Sequence, residues 1–181
     1  MAWFFNKKER PTAGPQLYPV TCEAVISAIR AKGGDVHIDD AGFATTDVDG
    51  ISVIIADSDN CVVLSVLTTA DARIDDSPCD ADRWVTAFNV NCIGPVMFTT
   101  TQPIDGNNAT IVHADYRILG SPFALTEEQL TAEVVFGVNA VTEAIRGYIE
   151  GFDVGQSPWD SGGGGIATWI PRWSRLKPMM R

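Results

Sequence analysis

Three runs rich in β-branched and apolar residues, 43–48, 51–56 and 61–68, follow one another with almost no chain between them. No other feature constrains the fold as tightly. Asp49-Gly50 leaves two residues for the first connection, and both types tolerate positive φ, so this is a tight hairpin turn. Asp57-Ser58-Asp59-Asn60 turns the chain again. Connections this short join antiparallel neighbours. A second pair of runs, 96–102 and 109–119, flanks Asp105-Gly106-Asn107-Asn108, which is also a turn by composition. Five antiparallel strands are therefore expected.

Helices separate these groups. Thr21 is placed to cap a helix reaching about Lys32, with Val25, Ile26 and Ile29 on one face and Gly33-Gly34 as its stop. Residues 70–79 are polar and read as a loop. Asp80 is then a suitable cap for a second helix through about Asn91, with Trp84, Val85 and Phe88 inward and Pro95 beyond its end. The third helix is announced by Thr126-Glu127-Glu128-Gln129, a capping box in which hydroxyl and amide satisfy each other's backbone donors. Leu130, Val134, Val138, Val141, Ile145 and Ile149 follow as one helical stripe, and Gly151 is its expected end. The order is α-β-β-β-α-β-β-α: an α+β fold, a five-stranded antiparallel sheet with helices packed on it.

The two ends differ from this body. Residues 1–17 hold Pro11 and Pro15 without periodicity and read as an irregular lead-in; 18–151 read as the domain. Residues 152–181 carry Gly162-Gly163-Gly164-Gly165, a linker by composition, then Trp169, Ile170, Trp173 and Leu176 among Arg172, Arg175 and Lys177. The first ten residues and the last thirty each carry a net +2. The whole chain carries −10, which leaves −14 on the body. Such a body repels nucleic acid and anionic lipid. Opposite charge and the tail's large apolar content lead us to expect that the basic tail docks on the acidic body, of its own chain or of a dimer mate, with Phe136 and its small neighbours as the receiving surface.

Cys22, Cys61, Cys79 and Cys92 contain no C-x-x-C pair, so reduced cysteines in a cytoplasmic protein are expected. The N-terminus has no signal-like apolar stretch, and no run of 18 apolar residues offers a membrane span.

At the second helix's end stands Ala87-Phe88-Asn89-Val90-Asn91. A strand, the Asp105-Gly106 turn, another strand and Leu125-Thr126-Glu127-Glu128-Gln129-Leu130 follow. This succession, over about residues 18–151, resembles the YbjN-like family of bacterial sensory-transduction regulators. The resemblance implies a fold like the type III secretion chaperones, a small sheet with three helices and often a dimer, with no catalytic residues to carry over.

Candidate chemistry is sparse. His37-x-Asp39 and His113-x-Asp115 each place an imidazole and a carboxylate on one strand face, and the two pairs together could build a metal site for a metal-dependent enzyme. Acids crowd every loop of this chain, so solvated faces are the competing reading. Asp57-Ser58-Asp59-Asn60 opens like a calcium loop, but Cys61 and Val62 stand where an Asx and a glycine are needed. No serine lies in a nucleophile elbow, the cysteines sit in apolar or acidic contexts, and the glycine run lacks the lysine of a phosphate loop. No cofactor, no metal and no enzymatic activity are expected. Asn89 and Asn91 are expected to cap the helix end.

The third helix has a second apolar side, with Phe136 and Ala140 among small residues at Ala132, Gly137, Ala144 and Gly147. Either the domain's own elements cover it or a partner does. Phe136, Ala140, Trp169 and Trp173 are accordingly the candidate partner-binding residues. Three functions compete: a protein-binding or chaperone-like regulator acting as a homodimer on a protein partner, the metal-dependent enzyme, and a structural dimerisation module.

Overall fold

The computed structural model describes residues 14–70, 78–120 and 124–153. Its elements run β1 (Tyr18–Pro19), α1 (Cys22–Ala31), β2 (Val36–Ile38), β3 (Ala44–Val48), β4 (Ile51–Ser58), β5 (Cys61–Thr69), α2 (Pro78–Asn91), β6 (Val96–Ile104), β7 (Asn107–Leu119), β8 (Ala124–Leu125) and α3 (Glu127–Asp153). The main sheet has six antiparallel strands in the order β2-β3-β4-β5-β7-β6, and β1 pairs with β8 as a separate ribbon.

The five expected strands are all present, and three short ones join them. β2 has three residues between Asp35 and Asp39, too few to show a period. β1 and β8 have two each. The two Asp-Gly hairpins each turn on two residues in the left-handed region: Asp49 (φ 51°) with Gly50 (φ 80°), and Asp105 (φ 50°) with Gly106 (φ 82°). The second turn is thus shorter than the four-residue span expected, because Asn107 and Asn108 already pair with Ile104 and Pro103.

Helix ends follow the local chemistry. Thr21 Oγ1 accepts the Ala24 N–H at 3.2 Å. Gly33 (φ 83°) closes α1, with Gly33 N–H on the Arg30 carbonyl and Gly34 N–H on that of Ile29, a Schellman pattern. The capping box forms in both directions: Gln129 Oε1 accepts the Thr126 N–H at 3.0 Å, and Thr126 Oγ1 accepts the Gln129 N–H at 3.2 Å. Two boundaries differ from expectation. α2 starts at Pro78, which places Asp80 inside the helix and not ahead of it; proline suits a helix start, where its fixed φ helps and its missing N–H is not needed. α3 runs through Gly151 to Asp153. A lone glycine weakens a helix but does not oblige it to stop.

All three helices pack on one face of the sheet. On that face Val53, Leu64, Val66, Met97, Val112 and Ala114 are fully buried. α3 lies across β7, β5 and β4 and also packs against α1. Trp84 of α2 meets Tyr148 of α3 edge to face at 5.3 Å. Gly137 marks the closest approach of α3 to the sheet: a Cβ there would come within 2.4 Å of the Tyr116 ring and 2.8 Å of Leu64. α2 is fastened to β6 by Asn89. Its side-chain amide donates to the Met97 carbonyl at 2.7 Å and accepts the Met97 N–H at 2.9 Å. Asn91 instead donates to the Ala87 carbonyl one turn back, so only Asn91 serves the helix end.

Candidate functional site

The register fixes what the other face of the sheet shows. Residues directly paired across antiparallel strands share a face. Leu67 of β5, His113 of β7 and Phe98 of β6 therefore form one row, and Ser65, Asp115 and Val96 form the next. Among the described residues no helix covers this face. Leu67 (49% exposed), Phe98 (37%), Val96 (59%) and Leu119 (60%) all reach solvent there.

Between these apolar residues lie the polar ones. The His113 ring stacks on Phe98 at 4.6 Å and 3°, and its Nε2 lies 2.8 Å from Thr100 Oγ1. Burial lowers its pKa below the ordinary 6.5, against a smaller upward pull from Asp115. Asp115 accepts the Ser65 hydroxyl at 2.6 Å. His37 sits on β2, four strand positions from β7, which is about 19 Å at ordinary strand spacing. Asp39 accepts the N–H groups of Ala41 and Phe43 at 3.0 and 2.8 Å and so folds its own loop. The two His-Asp pairs are not brought together, and each pair has its own structural employment. Among the described residues no three His, Cys, Asp or Glu side chains gather as metal ligands would.

The second apolar side of α3 is divided. Ala140 is buried by the chain's own fold, as is Ala144. Ala140 therefore presents no surface on this chain, and its small size serves helix packing. Phe136 is 41% exposed and leans on Tyr116 edge to face at 5.4 Å. The Tyr116 hydroxyl donates to Glu133 at 2.6 Å; burial first, and this carboxylate second, raise the phenol's pKa. Trp169 and Trp173 lie outside the described residues.

A cleft that sequence reasoning missed lies where α1 meets β2, β3 and β4. It measures about 270 Å³ and is walled by Cys22 and Ile26 of α1, Ile38, Phe43, Ile55 and Asp57. Ile38 and Phe43 are 50% and 57% exposed. Burial, with help from Asp57, which accepts the thiol's hydrogen bond, raises Cys22 to about 12. Burial also raises Cys92. Neither is a ready thiolate nucleophile. The missed signal was the pair of exposed apolar residues, Ile38 and Phe43, on either side of Asp39-Asp40.

These features define an α+β domain with three helices on one face of an antiparallel sheet, and with no assembled catalytic constellation among the described residues. Its fold is shared with a solved structure described as "YbjN, a putative transcription regulator from E. coli". The two are 16% identical, with a TM-score of 0.53, over 75% of this chain and 96% of that one. The similarity establishes the fold, as the resemblance implied, though with one more strand in the main sheet than expected. Neither a protein-family model nor a curated relative matches the sequence. No helix among the described residues is long and apolar enough to cross a membrane.

Proposed function

We propose that this chain is a non-enzymatic, protein-binding regulatory domain of YbjN type, and that it works as a homodimer joined through the open face of its sheet. The observation that carries the reading is Leu67, Phe98 and Val96, apolar side chains of two adjacent rows left in solvent around a stacked histidine. Clustered apolar side chains rimmed by polar ones mark association surfaces. A neighbour of the same fold described as "a putative transcription regulator" supports it. Phe136, with Trp169 and Trp173 of the tail, is proposed as the contact region for a protein partner. The acidic body contributes no nucleic-acid contact in this reading, and reduced cysteines fit the cytoplasm.

The test is the mass of the full chain in solution at micromolar concentration, alone and with Leu67→Asp and Phe98→Asp. The wild type should be a dimer and the double variant a folded monomer. A wild type that stays monomeric at all concentrations, or a variant that remains dimeric, refutes the open-face dimer. A structural dimerisation module would show the same dimer but capture no protein partner through Phe136.

A further inference from the structure

The cleft between α1 and the β2–β4 end of the sheet is a different surface from the proposed dimer face, and its chemistry names its occupant. Its walls are mostly apolar, with Ile26, Ile38, Phe43 and Ile55 beside Asp57, and it has room for a large aromatic side chain. The segments that build it, 22–26, 35–44 and 55–60, carry Glu23, Asp35, Asp39, Asp40, Asp57 and Asp59 and not one lysine or arginine. An occupant that satisfies both features is aromatic and basic.

The chain supplies two such segments. One is residues 1–13, with Trp3, Phe4 and Phe5 followed by Lys7, Lys8 and Arg10. The other is the C-terminal tail. Where each joins the domain decides between them. The N-terminal segment enters through β1, and Val20-Thr21 leads directly into Cys22, a wall of the cleft. Gly120 packs against the backbone of Val20 and Asn60, and its N–H donates to the Asn60 carbonyl at 2.7 Å. This fixes the entry at the Asp57–Asn60 end of the sheet, beside the cleft. The tail leaves from the other end. Near the close of α3, Arg146 reaches Asp49 at 3.4 Å, in the turn that starts β4, and Asp57 lies about 26 Å further along that strand.

We propose that residues 1–13 fold back so that Trp3, Phe4 or Phe5 fills the cleft while Lys7, Lys8 and Arg10 face Asp57, Asp59 and Asp40. Seven residues separate Gly14 from Cys22, and thirteen extended residues span about 43 Å, so the segment reaches its site with chain to spare. A tether this short holds it at millimolar effective concentration, enough for weak contacts to keep it seated.

The experiment is methyl NMR on the full chain, comparing wild type with Trp3→Ser/Phe4→Ser/Phe5→Ser, with Lys7→Glu/Lys8→Glu/Arg10→Glu, and with Trp169→Ser/Trp173→Ser. Seated aromatic rings shift the methyls of Ile26 and Ile38 upfield. Those shifts should be lost in the first variant, reduced in the second and by high salt, unchanged in the third, and unchanged on dilution. Ile118 and Ile145, deep in the core, should not move in any variant. Ile26 and Ile38 methyls indifferent to the first variant overturn the proposal. Movement in the third variant instead assigns the cleft to the tail, and loss of the shifts on dilution assigns it to another molecule's segment; either result overturns it as well.

Discussion

The two faces of the main sheet are made by the same strands, yet they obey different rules. On the helix-covered face Val53, Leu64, Val66, Val112 and Ala114 are buried to 2% exposure or less, and one helix comes so close that only glycine fits at 137. On the open face apolar and polar residues mix. His113 stacks on Phe98, Asp115 is tied to Ser65, and Leu67 and Val96 stay in solvent. The first face is fixed by volume. The second is fixed by a few polar contacts; Ile111 is buried there, while Leu67, Phe98 and Val96 are left for something else. The contrast separates residues that hold the domain together from residues available to a partner.

Substitutions should divide along the same line. Gly137→Val forces a side chain against Tyr116 and Leu64 and should cost about 1–3 kcal/mol in denaturant unfolding. If it costs nothing, the close approach of α3 is wrong. Asn89→Ala, which strips both bonds from Met97 at the margin of the same face, should cost about 1–2 kcal/mol. Asn91→Ala loses one bond within an exposed helix end and should cost about half as much. On the open face Leu67→Ser should change chain stability by about 0.5 kcal/mol or less while weakening self-association, so the two measurements must be made on one sample.

The smallest effect is on pH dependence. The folded pKa of His113 is below its unfolded value of 6.5, so the unfolded chain binds the extra proton in the window just under 6.5. Stability should therefore fall as pH drops below about 6.5, and His113→Gln should flatten that part of the curve. An unchanged slope in the variant would show that the stacked ring does not titrate in this way.

Much of the fold was legible because its signals are local. An Asp-Gly dipeptide selects its hairpin from two residues, and Thr126 with Gln129 sets the start of α3 from four. What was not legible depends on partners distant in sequence. β2 is a strand only because Thr45 and its neighbours in β3 pair with it. Its ordering of the 39–43 loop, and hence the cleft, could not be read from residues 36–43 alone. The sequence showed that α3 has two apolar sides but not what covers them. Leu64 and Tyr116, far away in the chain, turn out to cover Gly137, while Phe136 one residue earlier is left partly in solvent. The His-Asp pairs failed for the same reason. Spacing of two puts each pair on one face, but strand order decides whether the pairs meet.

The amide of Asn89 has a consequence for the life of the protein in a crowded solution. β6 is an outer strand, and Ile104 and Asn107 flank a two-residue turn, so alternate residues from Ile104 back bond to β7 while Pro103, Thr101, Thr99 and Met97 direct their backbone groups outward. Such a border is a template for stray strands. Here Pro103 offers no N–H at one end, and at the other Asn89 imitates a neighbouring strand so closely that Met97 has nothing left to lend. The rim is blunted at both ends, and Thr99 and Thr101 are left between them with outward backbone groups. A side chain that looks like a fastener between helix and sheet thus also withdraws the Met97 end of this edge from pairing with a strand of another molecule.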